Sequence, residues 1–289
     1  MFSPKAADDI VDLIECVVIA HSDNALGFQQ IRAIVDRHST VSETEFNWAL
    51  TKMQRRYKLL AGKYPFSFEG SSIRKQADWK NSTYLLLLGL CSSSPLADSR
   101  YGKFHINGEV AFELVSEAAI RNWLGTGSES VRFGWPSQVG RPPEFPQAIK
   151  WLSEKLGVQL GSAYLPPIRK DGGVDVVVWR HFPDKRSGFQ ILLVQCTLQE
   201  DLVSKSKDID IRNWSSWLTL DADPLTIVSS PRMVGEGSDK WNQVSRRSII
   251  FDRIRISGFL GSYESCDSSS EISDNLYSQC VALRESLEI

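Results

Sequence analysis

The chain has 289 residues, 42% of them hydrophobic, with a net charge of −2 and an isoelectric point near 6.1. This length can form one large or two ordinary globular domains, and the near-zero charge argues against a dedicated nucleic-acid-binding module. The five cysteines are scattered and never in C-x-x-C spacing, which argues against a disulfide framework and a structural zinc site. No apolar run is long enough to span a bilayer, and the start of the sequence has acids where a secretory signal would need a basic flank, so we expect a cytoplasmic protein without membrane association.

The N-terminal part of the chain is predicted to be helical. Residues 8–20 and 25–37 carry apolar residues at helical spacing, with a short polar turn between them. A third helix is expected to begin after Ser42, because Glu45 three residues later completes a capping-box pattern.

The first domain is placed at residues 1–95. Residues 62–82 have no clear periodicity and are expected to be irregular, whereas the apolar stretch at residues 84–90 is expected to be buried. This mainly helical domain is interpreted either as a winged-helix-like module or as a partner-docking module.

A second domain is placed at residues 100–289. Its elements are predicted in this order: a helix at residues 108–124, a loop rich in Gly and Pro to residue 143, a helix at 145–156 that ends at Gly157, strands at 174–179 and 191–196 joined by a polar hairpin loop, and a polar helical segment from residue 204. Helices and a two-stranded unit combine in this region, which predicts an α/β (α+β) domain.

The chemically informative residue of this domain is Asp175, which stands in a strand of four valines and a tryptophan. Burying an unpaired carboxylate costs several kcal/mol, so we expect Asp175 to be paired or to bind a ligand. The next strand would bring the side-chain oxygen of Gln195 beside it, and the backbone carbonyl of Cys196 would supply a third oxygen. Because Mg²⁺ prefers such oxygen ligands, the sequence predicts a Mg²⁺ site in which Mn²⁺ substitutes.

This pattern resembles the PD-(D/E)XK nuclease superfamily. Its core places an acid at the start of the second strand and an E-x-K or Q-x-K tripeptide on the third. Asp175 and Gln195 match these positions, but Thr197 stands where the lysine is expected. One defence-associated branch has a Q-C-x8-K pattern instead, which Gln195, Cys196 and Lys205 reproduce.

Two further stretches agree with that branch. Residues 112–113 lie on the helix before the glycine-rich loop, and residues 250–255 look like its late D-R-x-R strand. The resemblance therefore covers about residues 100–260. Within the late strand, Asp252 and Arg253 are interpreted as a structural ion pair rather than as catalytic groups.

The resemblance implies a restriction-endonuclease-like core, with a mixed central sheet flanked by helices. In this superfamily the helix before the two strands often supplies a further acid, for which Glu154 is chosen and Glu113 is the alternative. Lys207 is the alternative to the chosen lysine. The expected catalytic residues are Asp175, Gln195, Lys205 and Glu154.

The implied function is metal-dependent hydrolysis of DNA phosphodiester bonds by an endonuclease. The resemblance places such domains in prokaryotic anti-phage defence, beside an ATPase or sensor protein, and a homodimer would suit double-strand cuts. Two alternatives stay open: a catalytically inactive subunit of the same fold that binds nucleic acid or assembles a complex, and a pure interaction protein. The four histidines have neither metal-ligand spacing nor a neighbouring nucleophile, so zinc chemistry and hydrolase triads are not favoured.

Overall fold

A computed structural model describes residues 7–97, 107–137, 139–162, 167, 170–267 and 269–289. In chain order the elements are α1 (Ala7–Ala20), β1 (Ala25–Gly27), α2 (Phe28–His38), α3 (Glu43–Leu60), β2 (Phe66–Glu69), β3 (Ser72–Lys75), α4 (Thr83–Leu90), α5 (Gly108–Leu124), β4 (Glu129–Arg132), α6 (Phe145–Leu156), β5 (Val176–Arg180), β6 (Gln190–Cys196), α7 (Leu202–Lys205), α8 (Ile211–Trp217), β7 (Leu225–Ser229), α9 (Asp239–Ser245), β8 (Ile249–Phe251), α10 (Arg253–Phe259) and α11 (Ser269–Leu287). The protein is thus of mixed α/β class. Within the described residues, no helix combines the length and the apolar character needed to cross a membrane.

The chain divides into two compact units that are interleaved along the sequence. The first contains Met1–Val115, Pro231–Met233 and Arg253–Ile289, and the second contains Ser116–Ser230 and Val234–Asp252. The division predicted from the sequence, with a boundary between residues 95 and 100, is continuous along the chain. The structural division instead assigns α10 and α11 to the first unit.

The first unit contains a small antiparallel sheet that the sequence pattern did not predict. Its strand order is β1-β3-β2. The helix predicted at residues 25–37 begins only at Phe28, because residues 25–27 pair with β3. The region predicted to be irregular at residues 62–82 contains the β2–β3 hairpin, whose turn includes Gly70 at φ +56°. Strands of three and four residues are too short to show a period of two. The helix prediction was therefore wrong for its first three residues only, and the prediction of irregular structure was wrong at β2 and β3.

The start of α3 and the burial of α4 agree with the sequence predictions. The Ser42 hydroxyl accepts a hydrogen bond from the Glu45 N–H, and the Glu45 carboxylate accepts one from the Ser42 N–H at 2.8 Å. This capping box satisfies backbone donors that the first turn of a helix leaves without partners. All residues of α4 are buried, as predicted for residues 84–90.

Four charged side chains form a buried ion cluster inside the first unit: Asp12, Glu15, Arg56 and Arg253. The Arg253 guanidinium donates two hydrogen bonds to Asp12, at 2.8 and 2.9 Å, and Arg56 donates one to Glu15 at 2.9 Å. The stretch predicted as a D-R-x-R strand is divided, since β8 ends at Phe251 and α10 begins at Arg253. Arg253 is therefore a helix residue that pairs with Asp12.

The second unit is built on a sheet of five strands among the described residues, in the order β4-β5-β6-β7-β8. Strand β5 is antiparallel to both β4 and β6, whereas β7 is parallel to both β6 and β8. Helix α6 buries Ile149, Leu152 and Leu156 in the core on this sheet and ends at Gly157, as predicted. Strand β4 lies in a region predicted to be a loop, because its four residues are flanked by glycines and prolines that mask it.

The sheet register positions the residues singled out by the sequence. Asp175 immediately precedes β5, and Gln195 and Cys196 are the last two residues of β6. Because β5 and β6 are antiparallel, with Val176 opposite Val194, the start of one strand and the end of the other lie together. All three residues are therefore at one end of the sheet.

Candidate functional site

The backbone of Asp175 is held from both sides. Its N–H donates to the Val194 carbonyl at 2.8 Å, and its carbonyl accepts hydrogen bonds from the N–H groups of Phe133 and Gly134, at 2.6 and 3.0 Å. Asp175 is thus fixed between β6 and the segment that follows β4. A carboxylate on such a fixed backbone has little freedom to leave the site.

The Asp175 side chain meets the other two predicted ligands. Its Oδ2 atom accepts from Gln195 Nε2 at 2.6 Å and from the Cys196 N–H at 2.6 Å. Gln195 Nε2 also donates to the carbonyl oxygen of Cys196, at 3.1 Å. Two oxygen atoms expected to bind a cation therefore converge on one amide nitrogen. We call Asp175, Gln195 and Cys196 the Asp175 group.

The chemistry of the Asp175 group fits a hard divalent cation. Asp175 supplies a carboxylate oxygen and Cys196 supplies a carbonyl oxygen, the ligand types that Mg²⁺ and Mn²⁺ accept. The Gln195 side chain, only 5% exposed, supplies a third oxygen when its terminal amide turns over, because an amide carries an acceptor and a donor on one carbon. Among the described residues there is no group of three or more His, Cys, Asp or Glu side chains arranged for a metal, so the group has only one formal negative charge to offer.

Thr197 stands where the resemblance expects a lysine, and its environment explains why it is not one. The side chain is buried, and its hydroxyl oxygen accepts from the Gln199 N–H at 3.1 Å. Its own N–H donates to the Ser229 carbonyl at 3.0 Å. This position therefore begins the turn that leaves the sheet, and a lysine there would have to bury its ammonium group or disrupt the turn.

Lys205 ends the short helix α7, the element after β6. Its Nζ atom is 3.4 Å from Asp208 Oδ2, and the two side chains are only 14% and 12% exposed. Asp208, three residues later, was not singled out from the sequence as a site residue. The spacing of three residues on a helical turn was the available signal.

The segment after α7 packs directly on the turn that leads into Asp175. Gly173 has φ +79°, and a Cβ atom there would lie 2.3 Å from the carbonyl oxygen of Asp208. The Trp214 indole N–H donates to the Gly172 carbonyl at 3.2 Å. Only glycine allows both this backbone conformation and this close approach. The contact places the backbone of Asp208, the partner of Lys205, against the turn that precedes Asp175.

A cavity of about 250 Å³ opens between this turn and α8. Lys207, the alternative lysine, lines it and is exposed, together with Asp208. The remaining lining residues are Gly172, Gly173, Asp210, Asn213 and Trp217. The cavity therefore places a solvent-accessible ammonium group and polar side chains beside the residues that precede Asp175.

The two acids considered for a further catalytic role differ in position. Glu154 is exposed on α6, and within the described part of the chain no hydrogen bond or ion pair joins it to the Asp175 group. Glu113 is half-buried on α5, in the part of that helix that belongs to the first unit. Hydrogen bonds thus join Asp175, Gln195 and Cys196 in the structure, whereas Glu154 and Glu113 stay predictions.

Comparison with protein-family models, with curated protein sequences and with solved structures gives no match to this chain.

Proposed function

We propose that the second unit is a metal-dependent endonuclease of the restriction-endonuclease-like class that hydrolyses DNA phosphodiester bonds. One observation carries this proposal. The Asp175 carboxylate and the Cys196 carbonyl converge on the Gln195 side chain at one end of the sheet. An acid and a carbonyl oxygen at the junction of two strands suit a divalent cation that acts on a phosphate.

The order of the elements supports the choice of class. The PD-(D/E)XK resemblance requires an acid at the start of the second strand and the Gln-Cys pair on the third. In the strand order of the second unit, β5 is the second strand and β6 the third. Lys205 lies on the helix that follows β6, where the defence-associated branch carries its lysine.

Asp175, Gln195 and Cys196 would hold the Mg²⁺ or Mn²⁺ ion. When bound, such an ion polarises the scissile phosphate and lowers the pKa of water. Because the group contains one carboxylate and a neutral amide, we expect weak affinity for the cation in the absence of substrate. Phosphate oxygens of the bound DNA would then complete the ligand set.

The two lysines have distinct roles in the proposal. Lys207 is exposed in the cavity and binds the DNA phosphate next to the scissile bond. Lys205 is held by Asp208 and stabilises the additional negative charge that develops on the phosphate during hydrolysis. The ion pair keeps the Lys205 side chain ordered until substrate arrives.

The test is incubation of the purified protein with supercoiled plasmid in Mg²⁺, in Mn²⁺ or in EDTA. We expect nicking that requires the metal and that falls at least about 100-fold in Asp175→Ala, because the substitution removes the only charged ligand of the group. Lys205→Ala and Lys207→Ala should each lower the rate. Asp184→Ala is the matched control, since Asp184 is an exposed acid in the loop between β5 and β6 and pairs with Arg186.

Wild-type nicking by Asp175→Ala would contradict the assignment. If neither the wild type nor any variant nicks DNA, the fold is either inactive or lacks its activator. Titration with Mn²⁺ distinguishes these two cases. We expect Gln195→Glu, which adds a second carboxylate, to tighten Mn²⁺ binding about tenfold, and Asp175→Ala to abolish it. No Mn²⁺ binding by either the wild type or Gln195→Glu would favour the inactive, nucleic-acid-binding subunit.

The wider role that we propose is an effector of prokaryotic defence, activated by an ATPase or sensor protein and acting as a homodimer. The neutral Gln195 supports the need for activation, because low cation affinity keeps the basal rate low. Co-expression with neighbouring genes, followed by the same plasmid assay, tests this part. Basal and co-expressed rates that are equal would argue against an activator among those genes.

A further inference from the structure

An exposed tryptophan lies next to the Asp175 group. Trp135 is 37% exposed and belongs to the segment that follows β4. The residue before it, Gly134, donates its N–H to the Asp175 carbonyl at 3.0 Å. Trp135 therefore follows directly after the residue that hydrogen-bonds to the backbone of the proposed catalytic aspartate.

Two cations flank the Trp135 ring. The Lys170 ammonium is 5.7 Å from the ring centroid, and the Arg141 guanidinium carbon is 5.6 Å from it. Lys170 is exposed, whereas Arg141 is buried and lies 4.4 Å over the Phe133 ring. Burial lowers the pKa of Arg141 from its ordinary value.

Arg141 ties the Trp135 segment to the turn that leads into Asp175. Its Nη2 atom donates to the Lys170 carbonyl, and its Nη1 atom donates to the Pro142 carbonyl at 3.1 Å. A buried arginine used in this way orders two loops at once. Trp135 and Lys170 are therefore neighbours that are both accessible to solvent, the ring at 37% exposure and the lysine exposed.

Proteins that bind single-stranded nucleic acid combine exposed aromatic rings with neighbouring cations, and Trp135 with Lys170 offers this combination. The ring stacks on a base and the cation contacts the backbone phosphate. In an intact duplex the face of each base is covered by its neighbours, so the ring can stack only on an unpaired or terminal nucleotide. The position of the pair at the Asp175 end of the sheet places that nucleotide beside the scissile bond.

We propose that Trp135 and Lys170 hold an unpaired nucleotide next to the scissile phosphate, and that the preferred substrates are DNA single strands, flaps and frayed ends. The location relative to the scissile bond rests on the proposed nuclease function. The binding of the strand does not, because stacking and phosphate contact need neither the cation nor hydrolysis.

The experiment measures the binding of a short fluorescein-labelled oligothymidylate by anisotropy in EDTA, with a relaxed, covalently closed circular duplex, which has neither ends nor unpaired bases, as the unlabelled competitor. We expect the single strand to bind more tightly than the duplex. Trp135→Ala should weaken single-strand binding about tenfold, and Trp135→Phe should retain most of it. Lys170→Ala should make the slope of log affinity against log salt concentration shallower, by the amount that corresponds to about one phosphate contact.

Trp123→Ala is the matched control, because Trp123 is 36% exposed in the same unit but packs edge to face on Phe251. Circular dichroism of each variant is the check that it is folded. Unchanged affinity in Trp135→Ala, or equal binding of strand and duplex by the wild type, would overturn the proposal. Loss of strand binding in Trp135→Ala would uphold it even if no variant cleaves DNA, in which case only the nuclease assignment fails.

Discussion

Asp12 in the first unit and Asp175 in the second are both aspartates among apolar neighbours, yet they are held differently. Asp12 is buried and receives both ends of the Arg253 guanidinium. Asp175 receives a side-chain amide and a backbone N–H, and stands beside a turn that borders a cavity. In the Asp12 arrangement, both carboxylate oxygens accept hydrogen bonds from a positively charged side chain of the protein itself.

The difference separates a structural carboxylate from one suited to a ligand. Burial acts to raise the pKa of Asp12, but Arg253 and Arg56 overcome it and hold the pKa below its ordinary value. In the second arrangement the carboxylate faces a neutral amide, so Asp175 and Gln195 carry one formal negative charge between them. The amide can also exchange its donor for its acceptor when a cation takes the place of the hydrogen bond.

The largest effect is expected from breaking the buried ion cluster. Arg253→Met should lower the free energy of unfolding by about 3–5 kcal/mol, because it leaves Asp12 charged and buried without its bidentate partner. Urea denaturation of the variant measures the change. The double variant Asp12→Asn with Arg253→Met is expected to recover part of the loss, and an equal or larger loss in the double variant would show that charge is not the cause.

An intermediate effect is expected from Gly173→Ala. The added methyl group meets the Asp208 carbonyl at 2.3 Å and the residue keeps φ at +79°, so we expect a loss of about 2–4 kcal/mol. Gly188→Ala is the control, since Gly188 has φ +80° and open space around it. Its cost should be only the backbone strain, about 1–2 kcal/mol. Equal losses in the two variants would mean that the contact with Asp208 contributes little.

The smallest effect on stability is expected at the Asp175 group itself. Asp175→Asn retains an oxygen that accepts from Gln195 and from the Cys196 N–H, so the free energy of unfolding should change by less than about 1 kcal/mol. Thermal melting of the variant without metal is the measurement. A loss as large as that of Arg253→Met would show that Asp175 is as structural as Asp12, and would break the contrast.

Sequence reasoning reaches the Asp175 group because the information is local. A strand of valines around one acid, a polar turn and a second apolar strand predict a hairpin, and antiparallel pairing then brings Asp175 to Gln195. The Ser42 capping box and the stop at Gly157 are local for the same reason. The capping box and the helix stop depend on residues within a few positions of one another, and the Asp175 group depends on two strands that are consecutive in the sequence.

Other features depend on residues that meet only in the folded chain. Arg253 and Asp12 are 241 residues apart, and neither neighbourhood indicates the other. The approach of Asp208 to Gly173 and the position of Trp135 beside Asp175 likewise require the sheet to be assembled. The interpretation of Asp252 and Arg253 as partners rested on adjacency alone, which is why the pairing of Arg253 with Asp12 was missed.

The interleaving of the two units has a consequence for synthesis on the ribosome. Arg253 is made about 200 residues after Arg56, a delay of roughly 10–40 s at the usual rate of translation. During this interval Asp12 and Glu15 have only one of their two arginines, so the core of the first unit cannot close without burying unbalanced charge. The second unit has all its residues by position 252. The first unit, although its synthesis begins first, is therefore expected to complete its folding after the second unit.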